Sequence, residues 1–405
     1  MPTETVEKIK IKKIPKLRFP GFSGEWEEKK LGNVSKFFSG GTPSLMSRKY
    51  YSGGIPFIKS GEISKNKTEQ FISEGALQKS SAKKTKMGDL LYALYGATSG
   101  AVAISKIDGA INQAVLCIRT NEDKNWLLNY LSYSKGKILA KYLQGGQGNL
   151  SADIVKNLKI VFPSLSEQQK IAEFLGVVDG WIENLKKQKE NFESYKKGMM
   201  QKIFSQEVRF KDDNGKDFPK WEQKKLGEVC NISTAPYIET KRNQQNGYYL
   251  IDMGAVSADG KLLVKKRTSG TKNILNVGDL VMPNRDIGHG DIIGKVALID
   301  LDNKYVLGNN MYKINPKDGS LSTFMFFLIN SEGVNREMRR RSNGTSQLQL
   351  IRKDVEFVKF SLPSPKEQHK IAEFLTSIDK IIESKQQQIT QAEQWKRGLM
   401  QGLFV

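Results

Sequence analysis

Side chains able to read the edges of nucleobases gather in this 405-residue chain on a few glycine-containing stretches. LYALYGATSG offers Tyr92, Tyr95, Thr98 and Ser99, and MPNRDIGHG offers Asn284, Arg285, Asp286 and His289. GGQGNLS adds Gln147, Asn149 and Ser151, while SNGTSQLQ adds Asn343, Thr345, Ser346 and Gln347. Arg339, Arg340 and Arg341 form a cationic run suited to phosphate oxygens, and Lys59 and Ser60 in FIKSGEIS are further candidates. The motifs that make and break bonds are missing. The sequence has no GxxxxGK[ST] phosphate loop, no strand followed by GxGxxG, and no Asn or Asp followed by two prolines and an aromatic residue. With His289 and His369 as the only histidines, and Cys117 and Cys230 far apart, no zinc site is expected. WEEKK and WEQKK contain the E-x-K of some nucleases, yet no suitably placed aspartate accompanies it in both places.

Composition agrees with a polyanionic partner. Lys and Arg number 64 against 43 acidic residues, a formal net charge of +21, which favours nucleic acid over an inert globule. The basic residues are dispersed, which argues against a membrane-surface helix. MPTETVEKIKIKKIPK lacks the apolar stretch of a secretory signal, and the longest apolar run, Phe324 to Ile329, is too short to span a bilayer. A soluble cytoplasmic protein with reduced core thiols is expected.

The elements that must hold these loops are written twice. PSLSEQQKIAEFL at 163–175 recurs as PSPKEQHKIAEFL at 363–375, and EWEEKKLGNV, with Trp26, recurs as KWEQKKLGEV, with Trp221. MGDLLYAL recurs as VGDLVMPN, and GAVAI as GKVAL, in the same order. The chain is therefore a duplication with copies of about 200 residues, too long for a solenoid repeat. Each copy reads as a mixed α/β domain of short strands broken by Gly, Asn, Asp and Pro, followed by a long helix. NWLLNYLSYSKGKILAKYL and LSTFMFFLINSEGVNREM are the best helices inside the domains. The order of strands in the sheets is left open. The boundaries expected are a basic tail at 1–16, one domain at 17–162, a helical segment at 163–206, a second domain at 207–362 and a second helical segment at 363–405.

Each long helix opens with a capping box, Ser164 with Glu167 and Ser364 with Glu367, behind a proline. Ile171, Val178, Leu185, Phe192 and Met199 then recur every seven residues, with Leu175, Ile182 and Ile203 offset by four. The second copy keeps the pattern in Ile371, Leu375, Ile378, Ile382, Ile389, Ala392 and Leu399, with Lys385 and Lys396 interrupting it. A helix of about 40 residues is roughly 60 Å long, more than a small domain is wide, and its apolar seam needs an equally long partner. The other copy supplies one, most naturally as an antiparallel coiled coil with internal pseudo-twofold symmetry.

These residues carry a family resemblance. SGGTPSLMSRKYYSGGIPFIKSGEIS, the paired PSxxEQxKIAEFL starts followed by Asp179 and Asp379, the KKGMMQ and KRGLMQ ends and the WExKKLG openings resemble the specificity subunit of type I restriction-modification systems, over essentially the whole chain. The resemblance implies an α+β fold with two target-recognition domains, each reading one half of a bipartite DNA target, and two helices that set the gap. It also implies partners: two modification subunits holding the adenine methyltransferase site and S-adenosylmethionine, and two restriction subunits using ATP and Mg for translocation and cleavage. The chain itself then carries no cofactor and no catalytic residue. The alternative is a stand-alone two-domain DNA-binding protein, a repressor or architectural factor, which would be isolated without a methyltransferase.

Overall fold

The computed structural model describes residues 13–142, 149–235, 247–270, 272–286, 288, 290–317, 320–344 and 347–405. The chain forms two compact units, the first made of Met1–Lys186 with Gln387–Val405 and the second of Lys187–Gln386. Each unit thus holds one domain, the first half of one long helix and the second half of the other. Among the described residues no helix is long and apolar enough to cross a membrane.

Both domains are built from two four-stranded sheets with the same strand order. In the first unit Ser35–Ser39, Val115–Thr120, Leu90–Ala93 and Val102–Ile104 lie side by side, all antiparallel. The second sheet runs Phe71–Ile72, Ile55–Ile58, Gly109–Ile111, Lys83–Thr85, and its central pair is parallel. The second unit repeats this with Cys230–Thr234, Met311–Pro316, Leu280–Pro283 and Ala297–Leu298, then Arg267–Thr268, Tyr248–Ile251, Tyr305–Leu307 and Ile274–Leu275. The repeated Gly-Asp-Leu is structural. Gly88 and Gly278 sit at φ +88° and +90°, where only glycine is comfortable, and open the central strand of the antiparallel sheet. Asp89 and Asp279 then close the turn by accepting from Lys86 N–H and Asn276 N–H, both at 2.9 Å.

The helix inside each domain differs between copies. Lys124–Tyr142 is continuous, whereas its counterpart breaks at Ser331 into Ser322–Asn330 and Glu332–Arg341. Ser331 is extended there (ψ 151°), and its hydroxyl donates to Leu328 O at 2.6 Å, a local bond that competes with the helical ladder. The two thiols are core groups: burial pushes Cys117 and Cys230 up to about 12, so neither is a ready nucleophile.

The central helix spans Leu165–Phe204 and the C-terminal helix Pro365–Leu403. In the first unit Val178, Ile182 and Leu185 pack on Ile389 and Ala392, and Ile171 and Leu175 join the domain core together with Met400, Leu403 and, at its edge, Leu399. The second unit buries Ile371, Leu375, Ile378 and Ile382 in one core with Ile203, Phe192 and Met199. Burying such aliphatic side chains contributes about 1.5–3 kcal/mol each relative to exposure, against the entropy of ordering the helix. Lys396 does not merely interrupt the seam: its ammonium reaches Asp179 at 2.6 Å, and Lys196 reaches Asp379 at 2.6 Å in the other unit. In the first unit Asp179 meets Lys396 and Lys186 meets Glu393, so numbers fall on one helix as they rise on the other and the pairing there is antiparallel.

Half of the first capping box forms, and neither half of the second does. Ser164 Oγ accepts from Glu167 N–H at 3.3 Å, but the Glu167 carboxylate turns to Arg18, at 2.9 and 2.8 Å. Glu367, fully buried, accepts from Arg209 at 3.1 and 2.7 Å and from the Trp221 indole at 3.0 Å, while Ser364 Oγ is buried without a partner among the described residues. Charge-assisted bonds to arginine outweigh a single bond to a backbone amide. The adjacent glutamine is used alike in both copies: Gln168 and Gln368 donate to Pro163 O and Pro363 O at 3.0 Å and accept from Asp123 N–H and Leu321 N–H. Phe19 and Phe210, next to the arginines, pack edge-on to Phe174 and Phe374 at 5.5 Å in both units. Beside this strap, Leu17 N–H bonds Gly402 O at 2.9 Å, and Val208 N–H bonds Lys202 O at 3.2 Å.

Candidate nucleic-acid interface

The central strand of each antiparallel sheet ends beside the segment that follows the domain helix. Leu150 N–H donates to Leu94 O at 3.0 Å in the first unit, and Leu350 N–H to Asn284 O at 2.9 Å in the second. These equivalent bonds place Tyr95 next to Asn149, and Arg285 next to Gln349, at the same point of the same topology. Gly96 N–H reaches Asn149 Oδ1 at 3.5 Å, and the turn Ser60–Glu62 lies against Gly96–Thr98, so Ser60, Tyr95, Thr98 and Asn149 converge from three segments. Lys59 sits at the head of that turn, where its backbone N–H bonds the buried Glu62 carboxylate at 3.2 Å. In the second unit the matching turn is Met253–Ala255, headed by Asp252, which pairs with Lys266. A cation in one copy is thus an anion in the other.

Three candidates are corrected by burial. Tyr92 belongs to the strand Leu90–Ala93 and is wholly buried, its phenol pushed up to about 12 by burial, so it is a core residue. Ser99 is buried and donates to Leu94 O at 2.9 Å, which shapes the loop. Asp286 is buried as well, its carboxylate accepting from Gly288 N–H at 2.7 Å and Ile292 N–H at 3.0 Å. An anion used in this way orders the loop and is withheld from a base. Asn284 is half-buried, with its side-chain oxygen unpartnered among the described residues.

On the helix Glu332–Arg341, Arg339 lies 3.4 Å from Glu332 and Arg341 bonds Glu337 at 2.8 Å, whereas exposed Arg340 has no carboxylate partner among the described residues. Lys295 lies against this helix, and burial together with the neighbouring Arg339 pushes its ammonium below the usual lysine range. Such exposed intrahelical pairs are worth about 0.3–0.5 kcal/mol, little enough for a phosphate to displace. Gln347 is exposed. Gln147, His289, Thr345 and Ser346 fall outside the described residues. Two features escaped sequence reasoning: Gln349, which only the strand pairing brings beside Arg285, and the Arg18 and Arg209 straps, signalled by the repeated Arg-Phe dipeptide.

A family model, the type I restriction modification DNA specificity domain, matches residues 23–193 and again 219–394. The chain belongs to this family. Specificity subunits are the DNA-recognition members of restriction-modification complexes and are not themselves catalytic. This specificity chain is 28% identical over 414 residues to the type I restriction enzyme MjaVIII specificity subunit of Methanocaldococcus jannaschii, covering 96% of this chain and 94% of the relative. It is 28% identical over 169 residues to the EcoR124I/EcoR124II specificity subunit of Escherichia coli, covering 38% of this chain and 41% of the relative. Its fold is similar to the crystal structure of the type I restriction-modification S subunit from M. genitalium, with a TM-score of 0.57 at 15% identity over 96% of this chain and 99% of that one.

Proposed function

We propose that each domain of this specificity chain reads one half of a bipartite DNA target, and that the helices set the gap between the halves and dock two modification subunits. S-adenosylmethionine then belongs to those partners, and ATP and Mg to two restriction subunits; the chain supplies recognition alone, in the cytoplasm. One observation carries this reading: equivalent backbone positions present Tyr95 and Asn149 in one unit but Arg285 and Gln349 in the other. A shared frame with different hydrogen-bonding side chains is what two domains reading different bases require. The test is single-molecule sequencing of methylated adenines in a host carrying a modification subunit, with and without this chain. Methylation at a two-part motif only when the chain is present supports the proposal; a motif independent of the chain rejects it.

A further inference from the structure

The second unit carries a ribbon not found by following either loop alone. Arg285–Asp286 pairs antiparallel with Leu348–Gln349, with Arg285 opposite Gln349 and Asp286 opposite Leu348. Gln349 also faces Asn343 on its other side, the two exchanging N–H to O bonds of 2.9 and 2.8 Å. Residues directly opposite in antiparallel pairing project from the same face. Asp286 is buried and Leu348 packs against the domain core, so their face is the inner one. Arg285, Gln349 and Asn343 therefore stand in a row on the outer face. The first two are half-buried and the third exposed, and none of the three side chains has a hydrogen-bond partner among the described residues.

We infer that Arg285, Gln349 and Asn343 form one reading row that specifies adjacent base pairs, a guanine by Arg285 and adenines by the two amides. The inference rests on the DNA-recognition reading above and deepens it. Neighbours across a ladder are about 5 Å apart, so the row spans roughly 10 Å, within a major groove about 12 Å wide. At about 3.4 Å per base pair three adjacent pairs span roughly 7 Å, within the reach of the row. Arginine suits the O6 and N7 acceptors of guanine, and asparagine or glutamine the N6 donor and N7 acceptor of adenine. Unpartnered ends make these groups available without breaking any bond within the domain, in contrast to Asp286 beneath them.

The experiment selects duplexes from a randomised library with the full-length chain bound to its modification subunit, and sequences them. Wild type is expected to select a two-part motif. Arg285→Ala, Gln349→Ala and Asn343→Ala should each flatten one position, the three positions adjacent and in the same half, with roughly ten- to hundred-fold discrimination lost at each. Arg285→Lys should lose the guanine preference while keeping affinity for non-specific duplex. If the wild type selects its motif and the alanine variants select the same one, or weaken on all sequences alike, the row is rejected while the wider reading stands. A wild type that selects no two-part motif rejects both.

Discussion

Lys396 donates to both carboxylate oxygens of Asp179, at 2.6 and 2.7 Å, and Lys196 treats Asp379 identically in the second unit. Each pair joins a residue of one copy to a residue of the other. The lysines are about four-fifths buried and the aspartates half-exposed, so each pair is a moderate contribution that fixes register more than it adds stability. Asp179→Lys should cost about 1 kcal/mol or more in urea unfolding, and adding Lys396→Asp should restore most of it. A double variant no better than the single one would remove the pair from the account.

Arg209→Ala strips the guanidinium from the fully buried Glu367 and leaves it the Trp221 indole. An uncompensated buried carboxylate costs about 3–5 kcal/mol. The loss should appear as a lower urea midpoint, largely recovered when Glu367→Gln is added. Equal instability of both variants would assign the defect to packing of the arginine stem.

Asp89 gives the pH dependence a sign. Burial alone would raise its pKa, but hydrogen bonds from Arg119, the Lys86 N–H and Thr85 prevail and hold it at about 2, below the ordinary 3.8. A depressed carboxyl stabilises the fold above its unfolded pKa and loses that contribution as pH falls through the folded one. Asp89→Asn should therefore be less stable than wild type by roughly 2 kcal/mol at pH 6, with the difference shrinking below pH 3.8 and mostly lost by pH 2. A difference undiminished between pH 6 and pH 2 in denaturant titrations would contradict this.

Arg340, exposed and with no carboxylate partner among the described residues, should act on phosphate. Arg340→Ala is expected to weaken binding evenly across sequences and to reduce the slope of log affinity against log salt by about 1. A change confined to one base pair of the motif would make it a base contact.

Each unit contains half of both long helices, which dictates how a length change must be made. One heptad inserted after Lys187 and another after Gln386 leaves every seam contact described above inside its own unit and adds roughly 10 Å of helix. Both half-sites should persist in the methylated motif, with the gap widened by one to three bases, or activity should fall because the groove has rotated. A changed half-site with an unchanged gap would show that the helices read bases.

Local patterns were legible because their causes are local. The heptads from Ile171 and Ile371 and the proline and serine before each helix all follow from neighbours within a few residues. Sheet order was not legible, since two- to six-residue strands carry too little pattern to choose partners. The same gap misplaced Tyr92 and Asp286, whose inward direction depends on register, and hid Gln349, whose importance comes from the strand opposite. The carboxylates of Glu167 and Glu367 were assigned to their own helices because their arginines lie 149 and 158 residues away.

Leu17 follows Gly402 in space as Val208 follows Lys202 along the chain, each through a single N–H to O bond of 2.9 and 3.2 Å. The strap thus meets its helix through an equivalent bond in both units, although only one of the two straps follows that helix directly in the chain. A short peptide linking Val405 to Lys13 would turn the polypeptide into a topological ring, and cutting that ring after Ser205 would write the second domain first. Such a rearranged chain is expected to keep both strap bonds, with the covalent and the spatial one exchanged between the units.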